Sequence, residues 1–240
     1  MQADEYLLRQ ALIEQCLSMN ASGLNQGTAG NLSVRYENQM LITPSAIPYE
    51  SLTPYMLASF PLDGNGTWTG SYKPSTEWRF HFDIYRARPQ VGAVVHTHSP
   101  YATSIAITRR SIPAIHYMIA LFGGNDIRCA DYATFGTQAL SDHALQALTD
   151  RHACLLANHG TITTGPTLTK AMWLAHELET LARQYYHALQ LGNPVILSDA
   201  DIAAAMQSFQ GYDLQENTII LSDADIAAAM QSFQGYNVQE

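Results

Sequence analysis

His96-Thr97-His98 stands at the end of the apolar, β-branched run Val91-Gly92-Ala93-Val94-Val95. Such a run reads as a buried strand. Strand side chains alternate faces, so two imidazoles two residues apart point the same way and form a pincer for a divalent ion such as zinc. A catalytic zinc takes three protein ligands and keeps one position open. His159 is the best third candidate. It follows the buried run 153–157 and precedes Gly160, where backbone can approach closely. By position alone it reads equally well as a turn residue at a strand end.

Glu77 is the candidate acid–base group. Ser75-Thr76-Glu77 reads as the capped start of a helix, and partial burial is expected to raise the Glu77 pKa. The same helix start offers free N–H groups from Ser75 and Thr76 to an anion. The plainer reading of Glu77 is an acid that complements the helix dipole. Gly27-Thr28-Ala29-Gly30-Asn31 could wrap an oxyanion with backbone donors, but it is neither a Walker loop nor a dinucleotide fingerprint. His176-Glu177 does not open a zinc-protease motif, because position 180 is Thr where the second His is needed. His81, His143, His152 and His187 read as surface or packing residues.

The elements that must position these groups follow from periodicity. Glu5 to Met19 has helical spacing and Gly23 ends it. Short β-like runs lie at 31–35, 40–43 and 57–62, and another at 153–156. Helices are predicted from 75 to about 87, from about Pro100, and from Thr169 to Leu189. Interleaved strands and helices predict a single α/β domain in three layers (α/β/α), with a central, mainly antiparallel or mixed sheet. The tail repeats itself: Ile196 to Tyr212 recurs unchanged at Ile220 to Tyr236, each copy reading as a short capped helix. The expected organisation is therefore a catalytic domain at 1–216 and a duplicated helical segment at 217–240.

Composition narrows the class. The chain has 240 residues, 47% of them hydrophobic and 14% charged, with a net charge of −9. This describes a globular protein with a substantial core. Without a Lys/Arg run, nucleic acid is not expected as a partner. No apolar run reaches membrane-spanning length and the first residues lack signal-peptide character, so a cytoplasmic protein without a membrane partner is expected. The three cysteines, Cys16, Cys129 and Cys154, read as buried free thiols.

Six segments, taken together, resemble one family. They are Gly27 to Arg35, Leu41 to Glu50, Pro74 to His81, Val94 to His98, Ile112 to Ala120 and Asn158 to Gly160. Their order and spacing are similar to the zinc-dependent class II aldolase/adducin family, from the first helix to about Tyr212. The resemblance implies zinc on His96, His98 and His159, with Glu77 beside it. It implies phosphate contacts from Gly30, Asn31, the Ser45-Ala46 turn, Ser75 and Thr76. It gives proton-transfer roles to Tyr117, which reaches a neighbouring subunit's site, and to Tyr212 or its duplicate Tyr236. It also implies a homotetramer with sites at subunit interfaces. The implied reaction is reversible cleavage of a ketose 1-phosphate, L-fuculose 1-phosphate by preference, to dihydroxyacetone phosphate and L-lactaldehyde.

Three positions depart from the family pattern. Ala46 replaces a turn glycine, Thr76 replaces a second serine, and Thr97-His98-Ser99 is shared with epimerase-like and dehydratase-like branches. A pentulose-phosphate 4-epimerase and a sugar-phosphate dehydratase are thus alternative readings. The epimerase branch carries Asp where this chain has Glu77. A non-catalytic, adducin-like binding module is the alternative of a different class, and it would lack the histidine set.

Overall fold

A computed structural model describes residues 1–210 of the chain. The repeat's second copy, Tyr212 and Tyr236 lie outside the described residues. Met1–Met206 forms one compact unit.

The chain opens with α1 (Ala3–Ala21), which Gly23 terminates at φ +76°. Next come the strands β1 (Asn31–Tyr36), β2 (Gln39–Ile42) and β3 (Ala58–Pro61), then α2 (Trp78–Ala87) and β4 (Ala93–Thr97). The helix α3 (Pro100–Ile107) follows, then β5 (Ile112–Pro113), β6 (Asp126–Ala130) and α4 (Gln138–Ala147). The strands β7 (Ala153–Leu156) and β8 (Gly160–Gly165) lead into the long α5 (Leu168–Leu191) and then α6 (Asp199–Gln210). The first tail copy is capped as its sequence requires. Asp201 N–H donates to Ser198 Oγ at 3.2 Å and Ser198 N–H donates to the Asp201 carboxylate at 3.0 Å.

Eight strands form one mixed sheet in the order β3-β2-β1-β4-β8-β7-β6-β5, as expected. Only β6 and β7 run parallel; every other neighbouring pair is antiparallel. Strand alternation sorts the core onto two faces. Val94, Cys154, Leu156 and Ile162 pack with α2 and α4, whereas Ala93, Val95, Ala153 and Leu155 pack with α1, α3 and α5. The three layers follow directly from this alternation. Cys16 and Cys154 are buried, Cys129 is half-buried, and none is in a disulfide.

Strand β8 escaped the sequence reading because it is Thr-rich, yet every residue in it is buried. Its hydroxyls are satisfied internally, which removes the cost of burying them. Thr161 Oγ1 lies 2.9 Å from Thr97 Oγ1, and Thr163 Oγ1 donates to the Ala171 carbonyl at 3.0 Å.

Helix α2 starts at Trp78 rather than Ser75, so Glu77 occupies the N-cap instead of the first turn. The reason is local. Glu77 has φ −100° and ψ 12°, outside the helical basin, and its N–H is taken by Ser75 Oγ at 3.2 Å.

Candidate active site

The site sits where β4 ends against the start of α2. Val94 and His96 share the sheet face that α2 covers, so the same alternation that buries Val94 turns His96 toward Glu77. His98 lies just beyond the strand, and His159 lies in the tight turn between β7 and β8. That turn holds because Gly160 has no side chain. A Cβ there would stand 2.4 Å from the Thr97 carbonyl and 2.8 Å from the His98 ring.

The structure brings the three histidines together, with ring centroids 4.9 to 5.0 Å apart. One nitrogen from each lies within 4.8 Å of the others, so the group could hold a metal ion. The donor set fits that use. His96 Nδ1 is 2.8 Å from the Thr161 carbonyl, which makes Nδ1 the protonated nitrogen and leaves a lone pair on Nε2. His96 Nε2 faces His98 Nε2 at 3.1 Å. Two nitrogens on one tetrahedral zinc stand about 3.3 Å apart. At 3.1 Å the two nitrogens can share one hydrogen, or, with both lone pairs free, take a cation between them.

Glu77 closes the group. Its Oε2 lies 3.2 Å from His96 Nε2, and its Oε1 lies 3.0 Å from His159 Nε2. Asn31 Nδ2 donates to Oε2 at 2.9 Å. The expected rise in the Glu77 pKa is reversed. Burial does work against its charge, but positive charge placed at the His96 and His159 nitrogens outweighs burial and holds the carboxyl well below the usual carboxylate range. A cation at the same place would act in the same direction. His98 is pushed down to about 4 by burial and by its two imidazole neighbours, which keeps it in the neutral, ligating form.

The phosphate-contact candidates gather around this centre. Ser75 N–H donates to the Thr43 carbonyl at 2.9 Å and Ser45 N–H to the Lys73 carbonyl at 2.9 Å, so the Ser45-Ala46 turn lies against the Ser75-Thr76 segment. Ala46 has φ +58°, the left-handed conformation that explains why glycine suits the position. Gly30 passes so close to β4 that a Cβ would be 2.7 Å from the His96 carbonyl, and the Tyr49 hydroxyl donates to the Gly30 carbonyl. A cavity of about 320 Å³ opens onto Thr76, Glu77, His98 and His159, with Tyr132 and Phe135 at its rim. Tyr117 is 53% exposed, stacks beside His116 and does not line this cavity of its own chain.

Sequence reasoning missed Tyr132 and Phe135, which lie on the loop between β6 and α4. It also left His81 undistinguished, as a surface or packing residue. His81 is fully buried and bonded at both ring nitrogens, to Ser33 Oγ at 2.7 Å and to Asn31 Oδ1 at 2.5 Å. Helical spacing from Glu77 was the available signal, since residues four apart share a helix face.

A mixed α/β/α sheet that converges three imidazoles and a buried carboxylate beside a cleft has the fold and potential ligand set of the metal-dependent class II aldolases, which are lyases. The chain belongs to the family described as Class II Aldolase and Adducin N-terminal domain, whose sequence pattern matches residues 10–186. It is 52% identical over 209 residues to L-fuculose phosphate aldolase of Escherichia coli strain K12, covering 87% of this chain and 96% of that one. It is 51% identical over 205 residues to the 5-methylthioribulose-1-phosphate/5-deoxyribulose-1-phosphate aldolase of Rhodospirillum rubrum, covering 85% and 92%. A solved L-fuculose 1-phosphate aldolase superposes with a TM-score of 0.82 at 36% identity, covering 88% of this chain and 98% of that one. Among the described residues no helix is long and apolar enough to cross a membrane.

Proposed function

We propose that this enzyme cleaves a ketose 1-phosphate reversibly, with L-fuculose 1-phosphate as preferred substrate, to dihydroxyacetone phosphate and L-lactaldehyde. The carrying observation is the convergence of His96, His98 and His159 on one point beside Glu77. The resident ion in this reading is zinc, held by the three imidazoles, and when bound it supplies Lewis-acid polarisation of the substrate's carbonyl.

The remaining work falls to the chain. Gly30, Asn31, the Ser45-Ala46 turn, Ser75 and Thr76 hold the phosphate, through backbone N–H groups and short hydroxyls. Anchoring that end sets the C3–C4 bond over Glu77. As the bond breaks, its electron pair stays with the dihydroxyacetone phosphate half, and C3 takes a proton through Glu77, whose carboxylate first picks that proton up from water in the cleft. In the synthetic direction Glu77 removes that proton. The C4 hydroxyl proton leaves through a tyrosine: Tyr117 of a neighbouring subunit, or Tyr212 or Tyr236 of the tail. The exposure of Tyr117 supports that reading, which includes a cytoplasmic homotetramer with sites at subunit interfaces.

The test is release of dihydroxyacetone phosphate from a panel of ketose 1-phosphates, with and without chelator. The panel includes 5-methylthioribulose 1-phosphate and 5-deoxyribulose 1-phosphate, because a relative acting on those compounds is nearly as similar as the fuculose enzyme. L-Fuculose 1-phosphate is expected to give the highest kcat/KM, and chelation to abolish turnover. Glu77→Gln is expected to retain the metal and lose about 10²-fold or more in kcat. Undiminished turnover in that variant would overturn the role of Glu77.

A further inference from the structure

A line of five buried polar side chains runs inward from the site: Glu77, Asn31, His81, Ser33 and Tyr85. Two regular elements generate it. Asn31 and Ser33 are two apart on β1, so they share the sheet face toward α2, and Asn31 stands directly opposite His96 in the β1–β4 register. Glu77, His81 and Tyr85 are four apart, so they share one face of α2. Strand and helix side chains alternate along the line like the teeth of a zip.

The chemistry of the groups gives the line a direction. Asn31 Nδ2 lies 2.9 Å from Glu77 Oε2 and donates to it, so the amide presents its NH₂ to the carboxyl group. The other end of that amide is then the carbonyl oxygen, and His81 Nε2 at 2.5 Å must donate to it. Burial pushes His81 down to about 3, so the ring is neutral and its Nδ1 accepts. Ser33 Oγ donates to Nδ1 at 2.7 Å, and the Tyr85 hydroxyl donates to Ser33 Oγ at 3.0 Å. Each hydrogen has one place, and turning Asn31 over would set its carbonyl against a carboxylate.

We infer that His81 is a positioning residue: as the Nε2–H tautomer it locks the Asn31 amide, which anchors Oε2 of Glu77 and leaves Oε1 to carry the proton. The two oxygens differ as this requires. Oε2 has the Asn31 donor, whereas Oε1 is buried without a hydrogen-bond partner of good geometry, although His159 Nε2 approaches to 3.0 Å. A carboxylate whose free oxygen is fixed in space delivers a proton to one carbon rather than two. Asn31 is also one of the proposed phosphate contacts, and with its carbonyl on His81 and one N–H on Glu77 it has a single N–H left for the anion. Seating the phosphate and aiming the base thus become one event. The inference rests on the reading of Glu77 given under Proposed function.

The test combines kinetics with a tautomer measurement. In the nitrogen-15 spectrum of the metal-free protein near neutral pH, His81 is expected to show a protonated Nε2 and a bare Nδ1; a protonated Nδ1 or an imidazolium overturns the inference. His81→Leu is expected to lower kcat by about 10- to 100-fold, with KM and bound metal unchanged. His81→Gln, which can donate to Asn31 and accept from Ser33, is expected to recover most of that loss. If Glu77→Gln is inactive while a folded, metal-loaded His81→Leu keeps wild-type kcat, the inference falls and the Glu77 reading stands. If Glu77→Gln is fully active, the Glu77 reading falls first. Should His81→Leu fail to fold, the tautomer spectrum and His81→Gln decide, and a His81→Gln no faster than Glu77→Gln overturns the inference.

Discussion

The floor of the cavity and its rim are built on different principles. The floor is regular structure: His96 on a central strand and Glu77 at a helix N-cap, with His81 and Asn31 behind them, all buried and all hydrogen-bonded or ion-paired. The rim is loop: Tyr132 and Phe135 are 53% and 62% exposed. Fixed geometry serves the proton and the cation, which tolerate little displacement. Loop residues suit the variable end of a ligand, because contacts there can change without disturbing the sheet. Relatives that act on differently substituted sugar phosphates fit this division.

The largest effect that would break the comparison is at Gly160. An alanine Cβ would be 2.4 Å from the Thr97 carbonyl and 2.8 Å from the His98 ring, and the backbone carbonyl cannot swing aside as a long side chain can. Gly160→Ala is expected to push His159 out of register with the other two ligands. Loss of bound metal by elemental analysis, together with turnover at the assay floor, is the expected result. Overpacking of this kind also costs about 1–3 kcal/mol of stability. A variant with full metal content would show that the floor is more pliable than its burial implies.

The next effect is on stability against pH. Folding lowers His81 from the ordinary value of 6.5 to about 3, so the folded state favours the neutral ring. Stability from this source is complete above pH 6.5 and is lost as pH falls toward 3, because the unfolded chain takes up the proton first. By pH 4 the loss is on the order of 3 kcal/mol. His81→Gln cannot titrate, so its stability deficit against wild type is expected to shrink by that much between pH 7 and pH 4 in denaturant titrations. A deficit independent of pH would mean that the ring is hydrated in the folded protein.

At the rim the expected changes are smaller and of another kind. Tyr132→Ala and Phe135→Ala should leave melting temperature nearly unchanged, since exposed substitutions usually stay within about 0.5 kcal/mol. Their effect belongs in KM and in the choice among sugar phosphates. A fall in kcat with KM constant would move these residues to the floor.

The same division decides what the sequence revealed. Part of the floor was legible because it rides on periodic elements: His96 follows from strand alternation and α2 from its apolar face, and the same alternation carried past the strand end pointed to His98. The rest was hidden for identifiable reasons. β8 hides its burial behind threonines whose hydroxyls are satisfied only in the folded sheet, and β6 carries Asp126 and Arg128, which belong to an ion-pair network with Arg151. His81 was passed over because hydrophobic periodicity treats a polar residue on a buried face as noise. Here it was the second tooth of Glu77-His81-Tyr85. The direction of the Glu77 shift needed coordinates, because burial and neighbouring charge oppose each other and only distances decide which prevails.

The smallest effect tests whether the Ser45-Ala46 turn, a proposed phosphate contact, belongs with the floor or the rim. Ala46 sits at φ +58°, where an L residue with a Cβ is strained by about 1–2 kcal/mol. Replacing it with glycine removes that strain but costs about 0.5–1 kcal/mol of chain entropy. The balance favours Ala46→Gly by about 0–1.5 kcal/mol, centred on a rise of about 2 °C in melting temperature for a chain of this size. If the turn is held as rigidly as the Ser45–Lys73 and Ser75–Thr43 backbone bonds suggest, KM for the sugar phosphate stays where it was. A raised KM would mean that the added freedom loosens the anion, placing this turn with the adaptable rim.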